Sequence, residues 1–164
     1  MKKIMLLIAA CLLSSGISAQ QNEEKNQEQT KNEAMLQVYD FLKQAKTYYL
    51  ATVDENKPRV RPFGTINLFE EKLYIQTGRS KKVAEQMRLN PQIEICAMWE
   101  NKWIRIEATV VPDDRREAKE SMLMAYPELQ SKYSADDFET LVLFLQNVKA
   151  TFYSFNDKPY EVTF

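Results

Sequence analysis

Ser80, Lys81 and Lys82, with Arg79 before them, put three cations into the stretch Thr77–Ala84. This stretch reads as a strand end, a tight turn and the first turn of a helix. Ser80 is placed to cap that helix, its hydroxyl accepting a bond from an otherwise unpaired amide. Val83, Ala84 and Met87 recur on one helical face. A helix N-terminus carries roughly half a positive charge and favours carboxylates, not amines. Binding of an anion, phosphate above all, reconciles the helix end with these side chains. The plainer reading is a solvated basic turn. Upstream, Arg59 and Arg61 are two residues apart on a strand, so their guanidinium groups share one face. A closed sheet would bring Arg61 towards Lys81 and Lys82; otherwise the pair decorates an exposed edge.

The elements that must position these groups are mostly strands. Met35, Val38, Tyr39, Leu42 and Ala45 give an amphipathic helix over Ala34–Lys46, its apolar stripe read as core packing. From Tyr48 the pattern changes to β: Tyr48–Val53, Pro58–Asn67 and Leu73–Thr77, separated by Asp54–Lys57 and Glu70–Lys72. Pro58 and Pro62 place the second strand at an edge, a strand start or a bulge. The cationic turn and a helix to Asn90 follow, stopped by Pro91. Gln92–Trp99 and Trp103–Val111 form a hairpin. A helix runs from Pro112 to about Ala125, and Tyr126-Pro127 breaks it. Ala135–Gln146 reads as a short helix, and Val148–Phe155 and Tyr160–Phe164 as final strands. Six or seven short antiparallel strands with peripheral helices predict a mainly β domain closed into a small barrel. Asp113-Asp114 and Asp136-Asp137 read as helix caps. Trp99 and Trp103, with Tyr153 and Phe155, line either the core or a subunit interface. Cys96, in an apolar strand, reads as a buried, inert thiol.

The 164 residues carry 22 basic and 23 acidic side chains and no histidine. The balance argues against a nucleic-acid coat. The missing histidine removes Ser-His-Asp and Cys-His catalysis and His-ligated zinc, and no metal site is expected. Met1–Ala19 reads as an export signal: Lys2 and Lys3, an apolar run from Ile4 to Leu13, and a small-residue exit at Ala19. The run is too short to span a membrane. Cleavage there leaves 20 basic against 23 acidic residues, a net charge of −3, and Cys96 as the one cysteine. Leu7–Cys11 also resembles a bacterial lipobox, so a lipid anchor at Cys11 is the second reading. Gln20–Glu33, polar throughout, reads as a flexible spacer ahead of a domain over 34–164.

Ala51-Thr52-Val53-Asp54, Lys57 to Gly64, Leu73 to Gly78, Ser80-Lys81-Lys82 and Asn90-Pro91, in this order, resemble the pyridoxamine 5′-phosphate oxidase-like family of FMN-binding split barrels. The likeness runs from about Met35 to Phe164. It implies a homodimer with FMN at the subunit interface and a small-molecule redox substrate. Arg61, Pro62, Phe63, Gly64, Thr65 and Ile66 would lie along the flavin, with Arg61 at the phosphate. Thr77 and Gly78 would contact the cofactor, Ser80, Lys81 and Lys82 would clamp the phosphate, and Trp103 would fall near a flavin contact. Ile66 stands where the oxidase has a lysine, and the oxidase's C-terminal Arg-x-His element has no counterpart. The expected activity is therefore FMN-dependent redox chemistry other than pyridoxamine phosphate oxidation, in an exported, periplasmic or secreted protein. The alternative is a non-catalytic carrier or sensor of flavin or haem.

Overall fold

Strand β5 (Gln92–Trp99) shows the rule that builds the sheet: Ile93, Ile95 and Ala97 turn inward, while Cys96 and Met98 turn outward. Alternation of this kind makes one face of a strand apolar and core-facing. Cys96 is accordingly exposed, which corrects the expectation of a buried thiol. The run Ile95-Cys96-Ala97-Met98 looks uniformly apolar, but its pleat buries only every second residue. The structure is a computed structural model that describes the backbone from Ile4 to Phe164 and the side chains from Lys25 onward.

Helix α1 spans Ile4–Ala45. The helix expected to begin at Ala34 therefore begins earlier and takes in the polar stretch to Glu33. Glu, Gln and Lys are good helix formers, and Gln29 Nε2 donates to Glu33 Oε1 one turn on, at 3.1 Å. The export-signal reading includes Met1–Lys3, which lie outside the described residues. Among the described residues, no helix is long and apolar enough to cross a membrane. Ala34–Phe164 forms one compact unit.

In that unit the end of α1 lays Met35, Val38, Phe41 and Leu42 on a core built by Tyr48, Leu50, Ile95, Ile104, Ile106 and Phe152. The strands are β1 (Tyr48–Asp54), β2 (Lys57–Phe63), β3 (Asn67–Phe69), β4 (Lys72–Gly78), β5, β6 (Lys102–Asp113), β7 (Thr140–Ser154) and β8 (Tyr160–Thr163). They form one antiparallel sheet in the order β2-β1-β5-β6-β7-β4-β3. The free side of β7 is shared between β4, along Thr140–Phe144, and β8, along Lys149–Phe152. Among the described residues no ladder joins β2 to β3, so the barrel is split. Proline-bearing β2 is an edge strand, as its missing donors require. Between the strands lie α2 (Lys82–Leu89), α3 (Arg116–Ala125) and a 3-10 turn at Pro127–Ser131.

Of the helix expected over Ala135–Gln146, Ala135–Glu139 is a turn and Thr140–Gln146 is the first half of β7. Thr140, Leu141, Val142 and Leu143 are all buried. One side faces the main core, and Val142 joins Tyr74, Ala118 and Met122 in a second cluster under α3. A strand covered on both faces shows no alternation, so its period cannot be told from that of a buried helix. The acidic pairs are not helix caps. Asp113 accepts bonds from Arg115 and Tyr74, Asp114 pairs with Arg79, and Asp136 pairs with Arg116. Asp137 caps a turn by accepting from the amides of Ser134 and Thr140.

Candidate functional site

The connection from β2 to β3, Gly64–Ile66, is a short strap pinned from two sides. The Tyr48 hydroxyl donates to the Thr65 carbonyl at 2.6 Å, and the Thr65 hydroxyl accepts the Gln76 amide at 3.1 Å. Complete burial drives the Tyr48 hydroxyl well above its ordinary pKa, so it remains a donor. On the other side the Tyr126 hydroxyl accepts from the Ile66 amide and donates to the Ile66 carbonyl, both at 2.9 Å. Tyr126 thus answers both main-chain groups of a residue that lies outside any ladder, as buried backbone demands. Replacing Tyr126 with Phe is expected to cost about 1–2 kcal/mol of stability, from two unmet backbone groups. A shift of the urea midpoint with unchanged slope would check this.

A cavity of about 460 Å³ opens beside the strap. Arg61, Pro62, Phe63, Gly64 and Thr65 line it from β2 and the strap, and Thr77 and Lys81 from β4 and the turn ahead of α2. These are seven of the residues expected at the site. Gln76, Val83, Leu129, Lys132 and Tyr133 complete the lining, with Leu129 in the turn after α3 and Lys132 and Tyr133 following it. Three cations and no carboxylate lie on this wall, and among the described residues none of the three makes a salt bridge.

Arg61 is held by neutral acceptors. It donates through one nitrogen to the Leu50 carbonyl at 3.1 Å and the Thr52 hydroxyl at 2.7 Å, and through another to Gln86 Oε1 at 2.7 Å. The Thr52 hydroxyl also donates to Gln86 at 2.7 Å, closing a network between β1, β2 and α2. Burial first, and then the Arg59 charge, lower the Arg61 pKa, but a guanidinium stays charged in proteins. The guanidinium is half-buried and, among the described residues, no carboxylate neutralises it, so its charge is free to meet an anion.

Gln76 is the residue that the sequence did not reveal. It is 6% exposed, it lines the cavity, and neither its amide nitrogen nor its oxygen has a partner in the protein. Leaving both unpaired costs free energy that native structures rarely tolerate without reason.

The remaining expected residues diverge. Ser80 does not cap α2. The residue at the cap is Lys81, which makes no side-chain capping bond. The Ser80 hydroxyl instead donates to Glu139 Oε1 at 2.8 Å, and its amide to Glu139 Oε2 at 3.1 Å. Gly78 lies beneath that carboxylate. Lys82 lines a separate cavity with Asp54, Glu55 and Glu85. Arg79 is engaged with Asp114 and stacks 4.6 Å above the Phe138 ring. Of the cationic turn, Lys81 alone reaches the cavity. Ile66, the last residue of the strap, is buried and does not line the cavity. Trp103 lies outside the cavity, stacked on Tyr153 with ring centroids 5.1 Å apart. A second cavity, of about 410 Å³ among Phe41, Trp99, Phe152 and Tyr160, holds none of the expected site residues.

Residues 36–153 match the family model described as pyridoxamine 5′-phosphate oxidase. The chain belongs to the pyridoxamine 5′-phosphate oxidase-like family. A NimC/NimA family protein from Clostridium acetobutylicum is 38% identical, with 85% of this chain and 98% of that one covered and a TM-score of 0.81. A pyridoxamine 5′-phosphate oxidase-related, FMN-binding protein from Nostoc punctiforme is 17% identical over 73% of this chain and 87% of that one, with a TM-score of 0.51. A haem storage protein from Vibrio cholerae is 17% identical over 77% and 92%, with a TM-score of 0.55. The last two likenesses establish the family's split-barrel fold. No curated protein matches the chain.

Proposed function

We propose that this protein binds FMN in the cavity beside the strap and works as a homodimeric redox flavoprotein outside the cytoplasm. The observation that carries the reading is Gln76. A buried amide with a free donor and a free acceptor, in a wall of three cations, suits a ligand with a polar heteroaromatic edge and an anionic tail. Arg61 and Lys81 would hold the phosphate, and Gln76 would bond to the polar edge of the ring. Bound FMN would supply hydride or electron transfer to a small redox substrate. The chain's own part is to fix the strap through Tyr48 and Tyr126, to keep Arg61 aimed by Thr52 and Gln86, and to wall the site with Pro62 and Phe63. Ile66 and the lack of histidine support exclusion of pyridoxamine phosphate as a substrate, and the expected turnover of that compound is nil.

The dimer reading is supported by the outer face of the sheet. Met98, Trp103 and Tyr153 stand in one row across β5, β6 and β7. On the same face Tyr49 and Met98 are more than half exposed. Apolar patches of this kind mark interfaces. Export rests on Met1–Ala19, with lipidation at Cys11 as the alternative, and N-terminal sequencing of the mature chain separates the two.

The test is titration of the purified protein with FMN, followed by absorbance and flavin fluorescence. Saturable quenching is expected, and its absence would remove the reading. Gln76→Leu sharpens the test. It is expected to raise the stability of the ligand-free protein by about 1 kcal/mol while weakening FMN by about 1–3 kcal/mol, because an unmet buried amide is removed together with its ligand contacts. A carrier or sensor of flavin or haem is the second reading. It is favoured by a cavity wall with no carboxylate, imidazole or thiol to move a proton. Reduction of the bound flavin and its reoxidation by an added acceptor would favour the enzyme.

A further inference from the structure

The Ser80 donors serve a carboxylate 59 residues away in sequence. Glu139 accepts the Ser80 hydroxyl at 2.8 Å through Oε1, and the Ser80 amide at 3.1 Å through Oε2 and 3.4 Å through Oε1. This is how a phosphate is held: by an amide and a hydroxyl at the start of a helix, beside lysines. We infer that Glu139 is an internal anion that competes with the ligand's phosphate for Ser80, and so determines how strongly the site prefers phosphorylated over unphosphorylated flavin. The inference rests on the FMN reading above and concerns its phosphate end.

Three features make the contact look exchangeable rather than merely structural. First, the main chain is anchored independently of the carboxylate. The Glu139 carbonyl accepts the Arg79 amide at 2.8 Å, and the Phe138 carbonyl accepts Arg79 Nε at 3.0 Å. The Glu139 side chain can therefore turn away while its backbone stays in place. Second, among the described residues Glu139 makes no salt bridge. Neutral donors hold it, and a phosphate with Lys81 at hand offers those donors more charge. Third, the carboxylate reaches Ser80 by passing over Gly78. A Cβ at that position would lie 2.2 Å from Glu139 Oε1, so any side chain there would push the carboxylate aside. When the competent state is a fraction of the whole, apparent affinity falls by that fraction.

Wild type, Glu139→Gln and Glu139→Ala are titrated with FMN, riboflavin and inorganic phosphate, the first two by fluorescence and the last by thermal shift. The near-isosteric Gln variant guards against a folding defect in the Ala variant. Both substitutions are expected to tighten FMN roughly tenfold, the ratio for one charge-assisted hydrogen-bonded competitor removed. Phosphate should stabilise both variants more than wild type, and riboflavin affinity should stay unchanged. FMN affinity that is unchanged or weaker, or FMN and riboflavin tightening alike, would overturn the competition while leaving the flavin reading intact. Absence of flavin binding in all three proteins, with phosphate gaining in the variants, would retire the flavin reading and keep the competition. Absence of flavin binding in all three proteins, with no gain for phosphate in the variants, would overturn both.

Discussion

Arg61→Met is expected to weaken FMN binding by about 2–4 kcal/mol, the cost of removing one partner from a largely desolvated charged contact. Riboflavin, which has no phosphate, should lose little. The reasoning starts from the bonds that Arg61 already makes. Leu50, Thr52 and Gln86 fix the guanidinium without neutralising it, so its charge remains available to a ligand on the cavity side. Removing it also strips a donor from Thr52 and Gln86, although these two still bond to each other. A stability loss of about 1 kcal/mol should accompany the affinity loss. Arg61→Lys separates the two effects, since it keeps the charge and gives up the rigid fork. Its stability should fall as in the Met variant, while its FMN affinity should lie between Met and wild type. Fluorescence titration with both flavins reads all of this. An Arg61→Met protein that binds FMN as tightly as wild type would show that the charge points elsewhere.

Why Arg61 and Lys81 could be read from the sequence, and Gln76 could not, is a matter of range. The first two announce themselves by type and local spacing: alternate arginines on a proline-bearing edge strand, and amines where a helix begins. Gln76 sits between Ile75 and Thr77, and a lone polar residue in a strand ordinarily faces water. It is buried because β7 pairs along β4 and the Thr65 strap bonds to its own amide. Neither event is local. The signal that could have found it is the continuity of β4, where six successive residues from Leu73 to Gly78 are buried. A strand covered on both faces has no outward side on which to place an amide. The same covering disguised the start of β7 as a helix. Lys132 and Tyr133 follow a Tyr-Pro break that does mark a turn, but nothing near them in sequence says that the turn folds over a cavity. Ser80 illustrates the opposite error. Its type and position suit a helix cap, and a carboxylate far along the chain claimed its hydroxyl instead.

The second large effect concerns stability. Asp113→Asn is expected to cost about 2–3 kcal/mol at pH 7. This lies below the roughly 3–5 kcal/mol for breaking a fully buried charged pair, because the Arg115 partner is half exposed. Asp113 ends β6 with a side chain 8% exposed. It accepts the Tyr74 hydroxyl at 2.9 Å, the Arg115 amide at 3.1 Å, and Arg115 Nη2 at 2.8 Å. Arg115 in turn donates to Glu70 in the turn between β3 and β4, at 3.2 and 2.7 Å. One carboxylate therefore joins β4, the end of β6 and the start of α3. The Arg115 bonds, opposed by burial, hold the Asp113 carboxyl at about 2, against an ordinary 3.8. Burial, and then the Asp113 bond, raise the Tyr74 hydroxyl to about 12. A carboxyl depressed on folding contributes stability above its unfolded pKa and loses it as pH falls through the folded one. The contribution of Asp113 should thus be complete above about pH 4 and fade towards pH 2. Tyr74, raised on folding, contributes below pH 10 and loses that contribution as pH climbs towards 12. Urea denaturation of wild type and Asp113→Asn at pH 7 and again near pH 2.5 should show the gap between them narrowing at the acid end. A gap of the same size at both values would mean that the bonds of Asp113, and not its charge, hold the three elements together.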